Sequence, residues 1–296
     1  MKCFNVVMKS RHKRLILAWM FLLPSFLGVL VFKYYPLIRS LYMAFYDWNI
    51  MLPPGNFVGI QNFKALIQSS WFMDALINTV ILWLFSLIFG FWVPIAQALL
   101  INELGPKGQG ISKVLYMLPV VVPSVSSALI WRWIFNPEYG VANQLLQAVG
   151  LPALQWLNST ELSKLSLSLP LLVSGGTTII LYFAAIQGIP QDMFEAARID
   201  GAGFLTRVFK LILPNIKGII SIQFILSMST ALQLFDRPFM MTGGGPADSS
   251  TTIAMKLYTI AFGEGRFGMA SAISVFMFII TVILVAIQLK MQKGDD

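Results

Sequence analysis

Charged residues are absent from six stretches of this chain, each long enough to cross a bilayer. They cover residues 15–32, 75–102, 114–131, 165–191, 218–235 and 267–289; a membrane helix needs roughly 20 apolar residues, with a range of about 17–25. With interfacial ends added, the pattern predicts spans over residues 15–35, 75–102, 112–133, 165–188, 216–236 and 267–290, separated by polar links. The second and fourth runs exceed the minimum, so tilt or an interfacial extension is expected there. The first follows the basic lead Lys9-Ser10-Arg11-His12-Lys13-Arg14, as the apolar core of a secretory leader would. It is long for such a core, contains Pro24, and is followed by no small-x-small cleavage site, so a retained span is expected. The predicted fold is an all-α polytopic membrane protein with about six transmembrane helices, forming a single domain over residues 1–296.

Composition agrees with the pattern. The chain is 57% hydrophobic and only 11% charged, against about 25% charged residues in soluble domains. Its single cysteine, Cys3, excludes an internal disulfide, and its single histidine, His12, stands in the basic lead, so no metal-ligand cluster is predicted. A net charge of +8 in such a chain reflects topology, not nucleic-acid binding. With the N-terminus inside, Lys2, Lys9, Arg11, Lys13, Arg14, Lys107, Lys113, Arg198, Arg207, Lys210, Lys217, Lys290 and Lys293, most of the cations, fall on the cytoplasmic side. Both termini are then cytoplasmic, and so is the link between spans four and five.

That link, residues 189–215, is too polar to cross a membrane but has the marks of folded structure. Asp192-x-x-Glu195 has capping-box spacing, with Asp192 as N-cap. A short helix from Met193 to Asp200 is expected to end at Gly201, the residue type that takes a left-handed C′ position cheaply. Met193, Ala196 and Ala197 share one face, and two alanines there let another surface approach closely. A second helical run, residues 205–213, leads to a boundary at Pro214. From this chemistry alone, the pair either packs on its own bundle or presents a docking surface.

The string Glu195-Ala196-Ala197, then Gly201, then Leu211-Ile212-Leu213-Pro214 resembles the EAA loop of bacterial ABC import permeases, with Leu211 where the family has Ile. The longer run through Arg198-Ile199-Asp200-Gly201-Ala202 resembles the carbohydrate-uptake branch of the maltose and glycerol-phosphate type. So do Tyr46-Asp47-Trp48-Asn49, Trp131-Arg132-Trp133-Ile134-Phe135-Asn136 and Met241-Thr242-Gly243-Gly244-Gly245-Pro246. Val173-Ser174-Gly175-Gly176 departs from relatives, which more often carry a Trp-containing stretch near the sugar. The resemblance implies a type I ABC importer permease fold in a bacterial inner or plasma membrane, with residues 189–215 forming a coupling helix that seats in a cytoplasmic ATPase. Glu195, Ala196, Ala197, Asp200, Gly201, Leu213 and Pro214 would then make the ATPase coupling. Implied partners are a second homologous permease subunit, two ATPase subunits, and an extracellular or periplasmic solute-binding protein. That protein would meet Gly243, Gly244, Gly245 and Pro246, and the cargo would be a sugar or oligosaccharide.

No G-x-x-x-x-G-K-[ST] motif occurs, so ATP and Mg are expected on the partner ATPase and no cofactor in this chain. No set of residues is placed for acid–base or nucleophilic catalysis. Polar side chains within spans should face the bundle, not lipid. On that ground Gln223, Gln233, Ser174, Thr177, Thr178 and Trp131 are the candidates for a sugar path, with Trp131 also suited to an interfacial aromatic belt. Asn78, Ser271 and Ser274 read as helix–helix hydrogen-bonding groups. The alternatives are an ion-coupled secondary solute transporter, which the absence of acidic residues in the spans argues against where protons are concerned, and an assembly subunit with no solute path.

Overall fold

The computed structural model describes residues 17–49, 51 and 55–292. The basic lead with Cys3 and His12, and Lys293, lie outside them. The regular elements among the described residues are all helices, with only two isolated β-bridges, Tyr46 to Phe57 and Asn49 to Arg266. Three helices have the length and apolarity of single spans: α1 (Leu17–Met43), α3 (Ser70–Asn102) and α14 (Phe267–Gln292). Three bent pairs supply the others: α4 (Pro106–Val121) with α5 (Ser124–Ile134), α7 (Ser163–Ser174) with α8 (Gly176–Gln187), and α10 (Phe204–Asn215) with α11 (Lys217–Leu232).

The helices depart from the predicted spans for identifiable reasons. α1 continues to Met43 and takes in Lys33 and Arg39, and α3 begins at Ser70 and takes in Asp74. A charge ends an apolar run without ending a helix. The predicted span 112–133 is broken by a 98° bend. Pro119 removes a backbone donor inside α4, and Pro123 forces Val122 out of helical conformation, to ψ 124°. The span 165–188 bends by 49° where Gly175 leaves helical geometry ahead of Gly176. The predicted 216–236 is helical only to Leu232, and Gln233–Phe235 lead into α12 (Asp236–Met241).

Two compact units result. One comprises residues through Leu66 together with Ile260–Phe276. Here Asn62 donates through Nδ2 to the carbonyls of Ala44 (2.9 Å) and Tyr46 (3.0 Å), pinning the turn after α1. The Arg39 guanidinium lies 4.7 Å from the Trp48 ring centre, within cation–π range. The other unit, Ile67–Thr259 with Met277 onward, holds the main core. Phe91, Ile95, Ala98 and Ile101 of α3 pack against Ile179, Tyr182 and Ile186 of α8. Phe194, Val208 and Ile212, from the link that follows α8, complete that cluster.

Candidate functional site

The link between α8 and α11 forms an elbow of two helices, α9 (Gln191–Ile199) and α10. Its end was read correctly. Gly201 has φ +71°, Gly201 N–H donates to the Arg198 carbonyl (3.0 Å) and Ala202 N–H to that of Ala197 (2.9 Å). These are both hydrogen bonds of a Schellman motif. Its beginning was not. Pro190 is the N-cap, with ψ 134°, and the Asp192 side chain caps nothing. The rigid proline starts the helix two residues earlier than the expected capping box, so Asp192 sits inside the first turn, where its charge still favours the helix dipole. Pro214 does not end the second run either. A π-turn over Val208–Ile212 carries α10 through to Asn215, and the chain turns at Ile216 instead.

What the elbow shows to its surroundings follows from one anchor. Phe194 is buried among Val208 and Ile212, which turns the opposite side of α9 outward. Glu195, Ala196 and Asp200 are exposed and Ala197 is half-buried. Ile199 is 87% exposed, Leu205 66% and Phe209 67%. Leu213 is half-buried against the core, and Pro214 is exposed. Arg207 bonds Glu103 at 3.2 Å and fastens α10 to the residue after α3. The elbow is thus rooted on one side and bare, with an apolar patch, on the other.

Of the candidate path residues, the structure brings three together. Trp131, Ser174 and Thr177 line a cavity of about 450 Å³ with Ser124, Ser127 and Arg237, at the α4–α5 bend. Thr178 is half-buried one position further along α8, Gln223 is half-buried on α11, and Gln233 is exposed at the α11 C-cap; none of these lines that cavity. Sequence reasoning missed Arg237 and Ser124. Arg237 lies just beyond the charge-free run that defined the fifth span, which placed it out of the search.

The glycine-rich loop is a stitched structure, not a loose turn. Gly243 and Gly244 have φ +62° and +92°, which asks for glycine. The Thr242 and Ser250 hydroxyls lie 2.7 Å apart, Ser250 Oγ donates to the Gly245 carbonyl (2.9 Å), and Thr251 Oγ1 to Asp248 (2.7 Å). The Thr251 hydroxyl, with help from Lys256 and against partial burial, holds the Asp248 carboxyl below the usual carboxylate range. That bond therefore persists at neutral pH and is lost only on acidification through the lowered pKa. Asn78 of α3 is not a helix–helix group: its Nδ2 donates to the carbonyls of Asp248 (2.9 Å) and Thr251 (3.1 Å). Ser274 likewise turns back on its own helix, to the Ala270 carbonyl (3.1 Å). Replacing Asn78 by alanine is expected to leave these carbonyls unmet and to cost about 1–3 kcal/mol, seen as a lower thermal midpoint and faster proteolysis in the loop.

Helices of membrane length that leave a solute-sized, hydroxyl-lined cavity among them define a subunit of a membrane transport system. The chain belongs to one family of these: residues 90–293 match the binding-protein-dependent transport system inner membrane component. It is a transport permease and not an enzyme. It is 34% identical to a probable ABC transporter permease, YurN, of Bacillus subtilis (strain 168), over 94% of this chain and 96% of that one. It is 32% identical to the sulfoquinovosyl glycerol transport system permease SmoG of Agrobacterium fabrum, over 95% and 92%. A chain of the bacterial alginate ABC transporter, solved in complex with an alginate pentasaccharide-bound periplasmic protein, superposes with TM-score 0.85 at 27% identity, covering 96% of each chain. The type I permease fold and the importer class are those expected from the EAA resemblance, and they displace the secondary-transporter and assembly-subunit alternatives.

Proposed function

We propose that this chain is one half of the membrane path of an ATP-driven importer for a sugar or oligosaccharide, and that α9 and α10 are the handle by which a separate ATPase drives it. The observation that carries this reading is the elbow itself: anchored inward by Phe194 and bare outward at Ile199, Leu205 and Phe209. Such a patch is expensive to leave in water and suits a partner's groove. Cations at Arg198, Arg207, Lys210 and Lys217 favour the cytoplasmic side for the elbow, with both termini on that side. The second permease subunit, the pair of ATPases and the external binding protein follow from the family. So does the placement of ATP and Mg on the ATPases. The sugar class rests on relatives named for sulfoquinovosyl glycerol, trehalose and maltose, and diacetylchitobiose, and on the solved transporter of the acidic polysaccharide alginate.

In this mechanism, closure of the ATPases on ATP pushes α9. Phe194 passes the displacement to α3 and α8, in whose core it is embedded, and the α4–α5 bend then opens toward one face of the membrane or the other. This is a rigid-body switch between two packed states. Glu195, Ala196, Ala197, Asp200 and Gly201 transmit force without chemistry. Gly243, Gly245 and Pro246 offer the binding protein a fixed surface, which the buried Gly244 helps to shape. Trp131, Ser174 and Thr177 give the passing sugar an aromatic face and hydroxyl partners.

The test is an exposed residue that the fold does not need. Ile199→Asp is expected to change the chain's own stability by no more than about 0.5 kcal/mol, yet to abolish co-purification of the ATPase and ATP-dependent uptake. Normal ATPase recovery with this variant would overturn the handle.

A further inference from the structure

The cavity in the α4–α5 bend holds a charge that the importer reading does not explain. Arg237 reaches it from α12. One of its amino groups, Nη1, donates to the Leu167 carbonyl of α7 at 2.8 Å. A guanidinium carries five N–H donors and stays protonated, and Arg237 makes no ion pair among the described residues. Its sequence neighbour Asp236 forms no ion pair with it; the Asp236 carboxylate accepts from Ser124 Oγ at 2.8 Å. No Asp or Glu lines the cavity. Arg237 is half-buried, and partial withdrawal of a cation from water with no ion-paired carboxylate is unfavourable. A fold that needed only the bond to Leu167 would be served by a neutral amide.

Among prolines, valines and Met241, part of the lining is suited to a carbohydrate. Trp131 supplies a flat aromatic face, and Ser127, Ser174 and Thr177 supply short hydroxyls that donate or accept, while Ser124, whose proton goes to Asp236, can accept. About 450 Å³ lies within the range of small-molecule sites, roughly 300–1,000 Å³. The guanidinium adds a planar fork whose natural partner is a carboxylate, phosphate or sulfonate, taken by two parallel bonds. We infer that Arg237, in this cavity, recognises a negatively charged group on the solute, so that the transported compound is an acidic and not a neutral sugar. The inference rests on the sugar-importer reading and narrows it.

Whole-cell uptake decides it, with the full chain expressed beside its own partner subunits. The probes are radiolabelled mono- to tetrasaccharides in matched pairs: uronate against parent hexose, sugar phosphate against sugar, sulfonated sugar against sugar. The expected result is chain-dependent uptake of acidic members only. Arg237→Gln, which can still donate to Leu167, lowers that uptake about tenfold or more at sub-saturating concentration, through half-saturation more than maximal rate. Arg237→Lys keeps most of it, with equal amounts of each variant in the membrane. Chain-dependent uptake of neutral members, unchanged in Arg237→Gln, overturns the proposal. An equal loss for both members of a pair also overturns it, since Arg237 would then serve the fold or an anionic lipid headgroup. Chain-dependent uptake of no pair at all overturns the sugar-importer reading itself, and is recognised before any variant is compared.

Discussion

Valine in place of Gly201 is expected to cut uptake sharply while leaving the chain in the membrane at normal levels. The position has φ +71°, a region that costs an L-residue about 1–2 kcal/mol, and a β-branched side chain fits it worst. A Cβ added there meets no atom within 4 Å, so the penalty is torsional and local. Relief requires Gly201 to leave the left-handed region, which breaks the two hydrogen bonds that end α9 and redirects the chain toward α10. The elbow then presents Ile199 and Leu205 at a different angle to whatever grips it. In the assembled transporter the result is ATP hydrolysis that no longer moves solute, with uptake reduced about tenfold or more. Asparagine, which tolerates left-handed geometry, is expected to retain much of the activity. Full coupled uptake by Gly201→Val would remove the elbow from the mechanism.

The second large effect lies in the fold and needs only one methyl group. At Gly176, the first residue of α8, an added Cβ would overlap the Tyr116 carbonyl oxygen and stand 2.9 Å from Val120 Cγ2, both in α4. The obstacle is helix backbone, which no rotamer change relieves, so α4 and α8 must separate. Overpacking of this kind costs about 1–3 kcal/mol, occasionally more. A loss of about 2 kcal/mol lowers the thermal midpoint of a chain this size by roughly 3 °C. Gly176→Ala is therefore expected to reduce the yield of folded, monodisperse transporter. Gly110→Ala, also on α4 but with nothing within 4 Å of the new Cβ, is the control, and is expected to be neutral or stabilising by up to about 1 kcal/mol. Equal midpoints for the two variants would mean that the close approach of α4 and α8 is not maintained in the membrane.

How far the sequence discloses all this depends on the range of the physics involved. The membrane class needs only the absence of charge over some twenty residues, and it was legible at once. The end of α9 at Gly201 is also local, because a residue type and a conformation coincide. The start of α9 was misread because two signals competed there: a carboxylate at capping distance and a rigid proline two residues before it. The proline won. Pro119, Pro123 and Gly175 were visible in the sequence, but a break of 98° against one of 49° depends on what the helices pack against. The same limit explains the cavity. Polarity inside a span nominated six side chains, and the bends decided that Trp131, Ser174 and Thr177 converge while Gln223, Gln233 and Thr178 do not. Arg237 escaped because Asp236, the charge that ended the apolar run, stands immediately before it and closed the search.

The hydroxyl stitching of residues 242–252 has a kinetic consequence. Its backbone is already fixed by Thr242, Ser250, Thr251 and Asn78, so a protein that docked there would forfeit little of the loop's chain freedom. Preorganisation of this sort allows contacts that form quickly and still release quickly, as the proposed external binding protein would need if it is to deliver, depart and return within every transport cycle.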